Sequence, residues 1–214
     1  ALRSVVARAR TDGFDVLIAC ATNAVRQAKD GPDFARAAGE AIGTTVHVIS
    51  PRREAELSFL GVASRHAVRR EWAMVDLGGG STEVVIARGR EMLRAATLPF
   101  GSGVLASTYL SDPPRPEERA RMRRAALREL AQAPDGEVER LVATGGTASN
   151  LPLVLTHRNP PSALTTADLL ACEARRDRGR AAEGAEAVGL PPNRGKAMGA
   201  GVGAPRWCPA GGGG

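Results

Sequence analysis

The chain is 214 residues long, 43% hydrophobic and 24% charged, enough for one large buried core or two small ones. Its net charge of +6 fits either a polyanionic partner or arginines on solvated faces, and charge alone does not choose between them. No run of about 18 apolar residues is present, which excludes a spanning helix; Cys20, Cys172 and Cys208, odd in number and far apart, argue against a disulfide framework and suit a reducing cytoplasm.

Residues 1–10 read as the end of an amphipathic helix. Asp15-Val16-Leu17-Ile18-Ala19 is a short apolar run between Gly13 and the polar Thr22-Asn23, the pattern of a buried strand. A helix is expected over residues 24–42, interrupted near Gly31-Pro32, and the β-branched residues 44–49 predict a second strand. Ser50-Pro51 marks a helix start, because serine caps orphan N–H groups and proline suits the first helical position; that helix is expected to end near Leu60.

Three strands follow as a meander over residues 74–77, 82–87 and 92–98. Gly101-Ser102-Gly103 opens a helix from Val104, and Asp112-Pro113-Pro114 breaks it. Residues 117–130 predict a strong helix with an apolar stripe of Met122, Ala126, Leu127 and Leu130, the arginines around it forming a solvated face. Residues 141–143 predict a last strand, ending in Thr144-Gly145-Gly146-Thr147. Residues 162–175 predict a helix capped by Thr165 or Thr166, and from Asp177 a flexible Gly-, Ala-, Pro- and Arg-rich tail is expected. A meander followed by helix-linked strands implies mixed α/β layers.

The stretch richest in chemistry is Asp76-Leu77-Gly78-Gly79-Gly80-Ser81-Thr82-Glu83. Glycines let a backbone turn sharply and approach a ligand closely, and successive N–H groups in such a turn form an anion-binding nest. Asp76 and Glu83, at the end of one strand and the start of its partner, supply hard oxygens of the kind Mg²⁺ takes beside phosphate oxygens. Gly145, Gly146 and Thr147 follow a strand and read either as a plain turn or as donors to a second phosphate. Arg26 is either a surface arginine or a bidentate phosphate fork. Glu54, in a first helical turn, is either a dipole partner or a general base. His47, His66 and His157 share no metal-ligand spacing with the cysteines or with each other.

In order, Ala-Thr-Asn-Ala-Val-Arg26, Ile49-Ser50 to Glu54-Ala55, Phe59-Leu60-Gly61, the Asp76 to Glu83 stretch, Pro99-Phe100-Gly101-Ser102-Gly103, Asp112-Pro113-Pro114 and Ala143 to Leu151 resemble the exopolyphosphatase / guanosine pentaphosphate phosphatase (Ppx/GppA) family over residues 2–170. The resemblance implies the ribonuclease-H-like α/β fold of the actin-like ATPase, sugar kinase and Hsp70 superfamily, in a partial two-lobe architecture with mixed sheets. It divides the chain into residues 1–70 of a first lobe, residues 71–176 of a second lobe bearing the glycine loop, and a divergent tail from residue 177. Glu54 then corresponds to the catalytic glutamate, Asp76 and Glu83 to metal- and water-positioning carboxylates, and Gly78, Gly79, Gly80, Ser81 and Thr82 to the second-lobe phosphate loop. Arg26 corresponds to a phosphate-contacting arginine, and Gly145, Gly146 and Thr147 to the later turn lining the same cleft.

The departures are as specific. Where the family reads Ser-Gly-x-Glu, this chain reads Ser50-Pro51-Arg52-Arg53, which sets two positive charges beside Glu54. The family's first phosphate loop, Asp-x-Gly-Ser-Asn-Ser, has no counterpart, and the chain, which starts at Ala1, is expected to begin inside a family member. Its late Arg-Ala-Asp-Val-Ile helix is replaced after Pro192-Asn193-Arg194. The resemblance implies a cytoplasmic, Mg²⁺-dependent hydrolase of the terminal phosphoanhydride of polyphosphate or guanosine pentaphosphate, with no nucleic-acid partner and a homodimer left open. The alternatives are a sugar or acetate kinase of the same superfamily, moving phosphoryl to an acceptor, and a non-catalytic polyanion-binding fragment.

Overall fold

The computed structural model describes residues 1–66, 68–155, 164, 165, 167, 168 and 171. Two compact units are distinguished, Ala1–Glu54 and Ala55–Gly214.

In the first unit, helix α1 (Leu2–Thr11) precedes a two-stranded parallel sheet of β1 (Ala19–Ala21) and β2 (Val46–Val48), with α2 (Asn23–Gln27) and α3 (Gly31–Ile42) between the strands. Val6, Ala35, Ala38 and Ile42 form its buried apolar set. The helix expected over residues 24–42 is therefore two helices, with Pro32 in the first turn of α3, where its missing N–H costs nothing. The strand expected over residues 15–19 is displaced. Pairing begins only at Ala19, and Val16 and Ile18 are exposed, because hydrophobicity marks an extended run without saying which of its residues find a partner.

Helix α4 (Pro51–His66) starts where Ser50 predicts: the Arg53 amide donates to Ser50 Oγ at 3.2 Å. It runs past Leu60 to His66, because Ala55, Phe59 and Ala63 recur at helical spacing and pack on the next sheet. That packing outweighs the modest helix penalty of Gly61. It also explains why the two units divide between Glu54 and Ala55, inside α4, whereas the sequence suggests residues 70/71.

The second unit is built on a sheet of order β5-β4-β3-β6, comprising β3 (Glu71–Leu77), β4 (Thr82–Arg88), β5 (Glu91–Leu98) and β6 (Arg140–Thr144). The first three strands form the expected antiparallel meander, and β6 joins β3 in parallel after the crossover through α5 (Ser102–Tyr109) and α6 (Pro116–Leu130). Strand periodicity sends alternate side chains to opposite faces. Trp72 and Met74 of β3, with Val85 and Ala87 of β4, meet α4 on one face, where Phe59 stacks on Trp72 with centroids 5.7 Å apart. Leu77, Val84 and Leu98 meet Leu105, Met122, Ala126 and Leu130 of α5 and α6 on the other.

Helix α7 (Gly145–Leu155) follows β6 directly. The predicted helix over residues 162–175 lies largely outside the described residues, as does the tail from Asp177. Among the described residues there, the Thr165 amide and hydroxyl donate to the Asp168 carboxylate, and the Asp168 amide donates back to Thr165 Oγ1. Among the described residues no helix is long and apolar enough to cross a membrane.

At the start of α6, Glu118 Oε2 accepts from the Arg115 amide at 2.9 Å, from the Ser111 hydroxyl at 2.7 Å and from the Ser111 amide at 3.1 Å. These donors, the Arg115 amide first, hold its carboxyl down from the ordinary 4.5 to about 2. A depressed folded-state pKa stabilises above the ordinary value, and the contribution fades as pH falls from about 4.5 through about 2. Because Glu118 faces solvent the effect is modest. Glu118→Gln is expected to flatten the acid limb of thermal stability over that window, measured as melting temperature across a pH series. Parallel limbs for parent and variant contradict the cap.

Candidate active site

The glycine stretch is the turn of the β3–β4 hairpin. Leu77 pairs with Thr82, and the turn is closed by the Gly78 amide donating to the Ser81 carbonyl at 3.1 Å. The turn is seated on the start of α5. Ser102 donates its amide (2.9 Å) and its hydroxyl (3.2 Å) to the Gly78 carbonyl, and the amides of Gly103 (2.9 Å) and Val104 (3.0 Å) reach the Gly79 carbonyl. The first amides of α5 therefore serve the hairpin.

In a trans peptide the carbonyl and the following N–H point in opposite directions. With the Gly78 and Gly79 carbonyls aimed at α5, the N–H groups of Gly79 and Gly80 point away from it. Gly79 is exposed, and Gly78 and Gly80 are half-buried. Two successive N–H groups are thereby turned to the side away from α5. Ser81 is buried, and Thr82, grouped with the phosphate loop on sequence, is 1% exposed and commits its hydroxyl to the Phe100 carbonyl at 2.7 Å. The Thr82 side chain secures the loop instead of reaching a ligand, because its strand position turns it to the α5 side.

Immediately behind the turn, Asp76 pairs with Glu83 across β3 and β4, and the rung extends to Thr97 on one side and Thr144 on the other. Asp76 and Glu83 continue the rows Trp72-Met74 and Ala87-Val85, so both stand on the α4 side of the sheet. Glu83 is 1% exposed and Asp76 half-buried. Like charges directly opposite in a sheet repel, and a hard cation relieves that repulsion. Among the described residues no group of three or more His, Cys, Asp and Glu closes around a metal ion. A two-carboxylate edge nonetheless fits Mg²⁺, which is held by one or two carboxylates with waters and phosphate oxygens completing its shell.

One hydrogen bond orients Asp76, and one glycine gives it room. Ser58 Oγ, on α4, donates to Asp76 Oδ2 at 2.7 Å. On the other side lies Gly145, at φ 92°, where a Cβ would stand 2.8 Å from Asp76 Oδ1 and 2.6 Å from the Leu77 carbonyl. Only glycine tolerates both the backbone conformation and the approach. The second glycine turn therefore does lie against the first, and Asn150 Nδ2 holds it by donating to the Gly146 carbonyl at 2.6 Å. Thr147 is buried. Ser58 is absent from the residues singled out on sequence, and Gly101, Ser102 and Asn150 are read there only as parts of motifs, with no site role. Ser58 had one signal, its place four residues after Glu54, the spacing that aligns side chains on a helix.

In the first unit, Arg26 and Glu54 are joined. Arg26 Nη1 donates to the Ile49 carbonyl at 2.6 Å, and Nη1 and Nη2 reach Glu54 Oε2 at 3.3 and 3.2 Å. Both side chains are largely buried, at 17% and 18% exposure. The guanidinium expected to fork onto phosphate is thus engaged with the carboxylate, and among its nitrogens Nε is buried without a hydrogen-bond partner among the described residues. Arg52 and Arg53 are exposed.

A family model for Ppx/GppA phosphatases matches residues 1–202. The crystal structure of the Aquifex aeolicus Ppx/GppA family member has a TM-score of 0.77 at 27% identity, over 95% of this chain and 69% of that one. An exopolyphosphatase from Cytophaga hutchinsonii gives 0.78 at 21% identity, over 94% of this chain and 70% of its own. An exopolyphosphatase-like protein gives 0.84 at 24% identity, over 95% and 68%. These last two speak to fold alone, an α/β fold with a mixed sheet and helices.

The seating of the hairpin predicts opposite signs for two glycine substitutions. A Cβ at Gly101 would lie 2.5 Å from the Gly79 carbonyl carbon and 2.6 Å from the Gly78 oxygen, whereas one at Gly61, inside α4, meets nothing within 4 Å. Gly101→Ala is expected to lower unfolding free energy by about 1–3 kcal/mol. Gly61→Ala is expected to raise it by about 0.5–1 kcal/mol. Urea unfolding of the two variants checks both signs.

Proposed function

The chain belongs to the Ppx/GppA phosphatase family, and from that membership we propose that it hydrolyses the terminal phosphoanhydride of inorganic polyphosphate or guanosine pentaphosphate. The observation that carries the reading is the glycine hairpin, whose Gly79 and Gly80 N–H groups stand beside the Asp76–Glu83 rung. Phosphoryl transfer needs little covalent chemistry from a protein; it needs positioning and charge stabilisation. The turn amides of Gly79 and Gly80, with Gly146 of the second glycine turn, bind the transferred phosphoryl oxygens. Asp76 and Glu83 would hold Mg²⁺, which would supply positive charge against the phosphate oxygens.

Glu54 orients the attacking water and takes its proton as the new P–O bond forms and the anhydride P–O bond breaks. The leaving phosphate carries away the electron pair. Arg26 holds Glu54 through Oε2, so that Oε1 is the oxygen left to accept from water. Family membership favours water over a sugar or carboxylate acceptor, and the widely spaced cysteines favour a reducing cytoplasm.

A second reading, polyanion binding without turnover, is favoured by one observation: Arg53 stands where the family motif carries an acid. Glu54→Gln separates the two. Orthophosphate release from polyphosphate, with no acceptor present, is expected to fall by about 10²–10⁴-fold while polyphosphate affinity is kept. Equal binding with no turnover in the parent supports the binding reading, and turnover that requires an added acceptor contradicts hydrolysis.

A further inference from the structure

We propose that Ser58 is a positioning residue for Asp76, presenting its carboxylate to a divalent cation; the inference rests on the proposed role of Asp76 as a metal ligand. Ser58 belongs to none of the motif positions that point to phosphate chemistry, yet its hydroxyl makes a short hydrogen bond to Asp76 Oδ2, at 2.7 Å. A carboxylate only accepts, so Ser58 is the donor, and a hydroxyl-to-carboxylate bond of this length is of the strong, charge-assisted kind.

The placement of Ser58 is fixed by packing on either side. Its neighbour Phe59 is 3% exposed and stacked on Trp72, and Ala55 and Ala63, one turn before and after Phe59, are buried on the same face of the sheet. Trp72 and Asp76 lie on the same side of β3, so seating Phe59 over Trp72 brings Ser58 to the carboxylate end of that row.

The consequence is a division of labour between the two carboxylate oxygens. Oδ2 is tied to α4 through Ser58, and Oδ1 lies on the side of Gly145, where even a methyl group would crowd it. With Oδ2 tied to α4 and Oδ1 given room by the missing side chain of Gly145, Asp76 is held opposite Glu83. Hydrogen bonds of this kind to a ligating carboxylate set its orientation, and their loss typically weakens metal binding about 10–100-fold.

The test is Mn²⁺ titration of the metal-free full chain, followed by the paramagnetic signal of free ion, for the parent, Asp76→Asn and Ser58→Ala. The expected result is binding by the parent, loss in Asp76→Asn, and a rise in dissociation constant of about 10–100-fold in Ser58→Ala. The melting temperature of metal-free Ser58→Ala is expected to stay near the parent's. Ser58→Thr and Ser58→Val, alike in size and differing in the hydroxyl, provide a second pair if the alanine variant folds poorly. The threonine variant is expected to bind near parental strength and the valine variant as weakly as alanine.

Parental affinity in both Ser58→Ala and Ser58→Val overturns the positioning role while leaving Asp76 as a ligand. Equal affinity in parent and Asp76→Asn, or no binding by either, overturns the metal reading of Asp76 and this inference with it.

Discussion

The contact on which the rest of the second unit depends is the seating of the Gly78–Gly79 peptide groups on the first turn of α5. Helix N-termini carry unsatisfied N–H groups that ordinarily find a side chain, water or an anion. Here Ser102, Gly103 and Val104 direct theirs to the hairpin carbonyls, and Gly101 has no side chain to keep the two backbones apart. Peptide planarity does the remainder. Because the carbonyls face α5, the Gly79 and Gly80 N–H groups face the other way. A turn that is floppy by composition thereby acquires a fixed sense, at little entropic cost to a ligand.

The same hairpin sets its carboxylates by strand register alone. Asp76 and Glu83 are opposite each other and fall on the α4 side because Trp72, Met74, Val85 and Ala87 do. A row of core side chains therefore ends in two acids beside a glycine turn. Packing of α4 and tuning of the acids are consequently one problem: Phe59 on Trp72 secures the helix, and Ser58 beside it secures Asp76. Gly145, lacking a side chain, leaves the carboxylate room on the other side, which gives the second glycine turn a reason for its composition that holds with or without a bound phosphate.

Much of this was legible in the residues. Short apolar segments broken by glycines gave the meander its strands, and the acid-glycine-hydroxyl-acid order identified the hairpin because each residue type there answers a separate geometric need. What was not legible came from tertiary choices. Residues 15–19 are apolar enough for a strand, yet pairing starts at Ala19, since periodicity does not specify a partner. Gly61 looks like a stop, yet Ala63 finds a place against the sheet and α4 continues. Thr82 reads as part of the loop, and only the strand's alternation reveals that its hydroxyl faces Phe100. Ser58 has only its place four residues after Glu54 as a signal, and its role appears once a carboxylate is found opposite it.

In the first unit, Arg26 and Glu54 restrain each other, and Ile49 supplies a third point to the guanidinium. A carboxylate held through one oxygen is suited to orient water with the other, and this gives the account its central claim: that the phosphoryl group is transferred to water. The most direct measurement is turnover of polyphosphate in H₂¹⁸O, with Mg²⁺ and no acceptor, and mass analysis of the orthophosphate released. One solvent-derived oxygen is expected in each phosphate released from a chain end. Orthophosphate released without solvent oxygen, or label incorporated equally by Glu54→Gln at the parental rate, would contradict it.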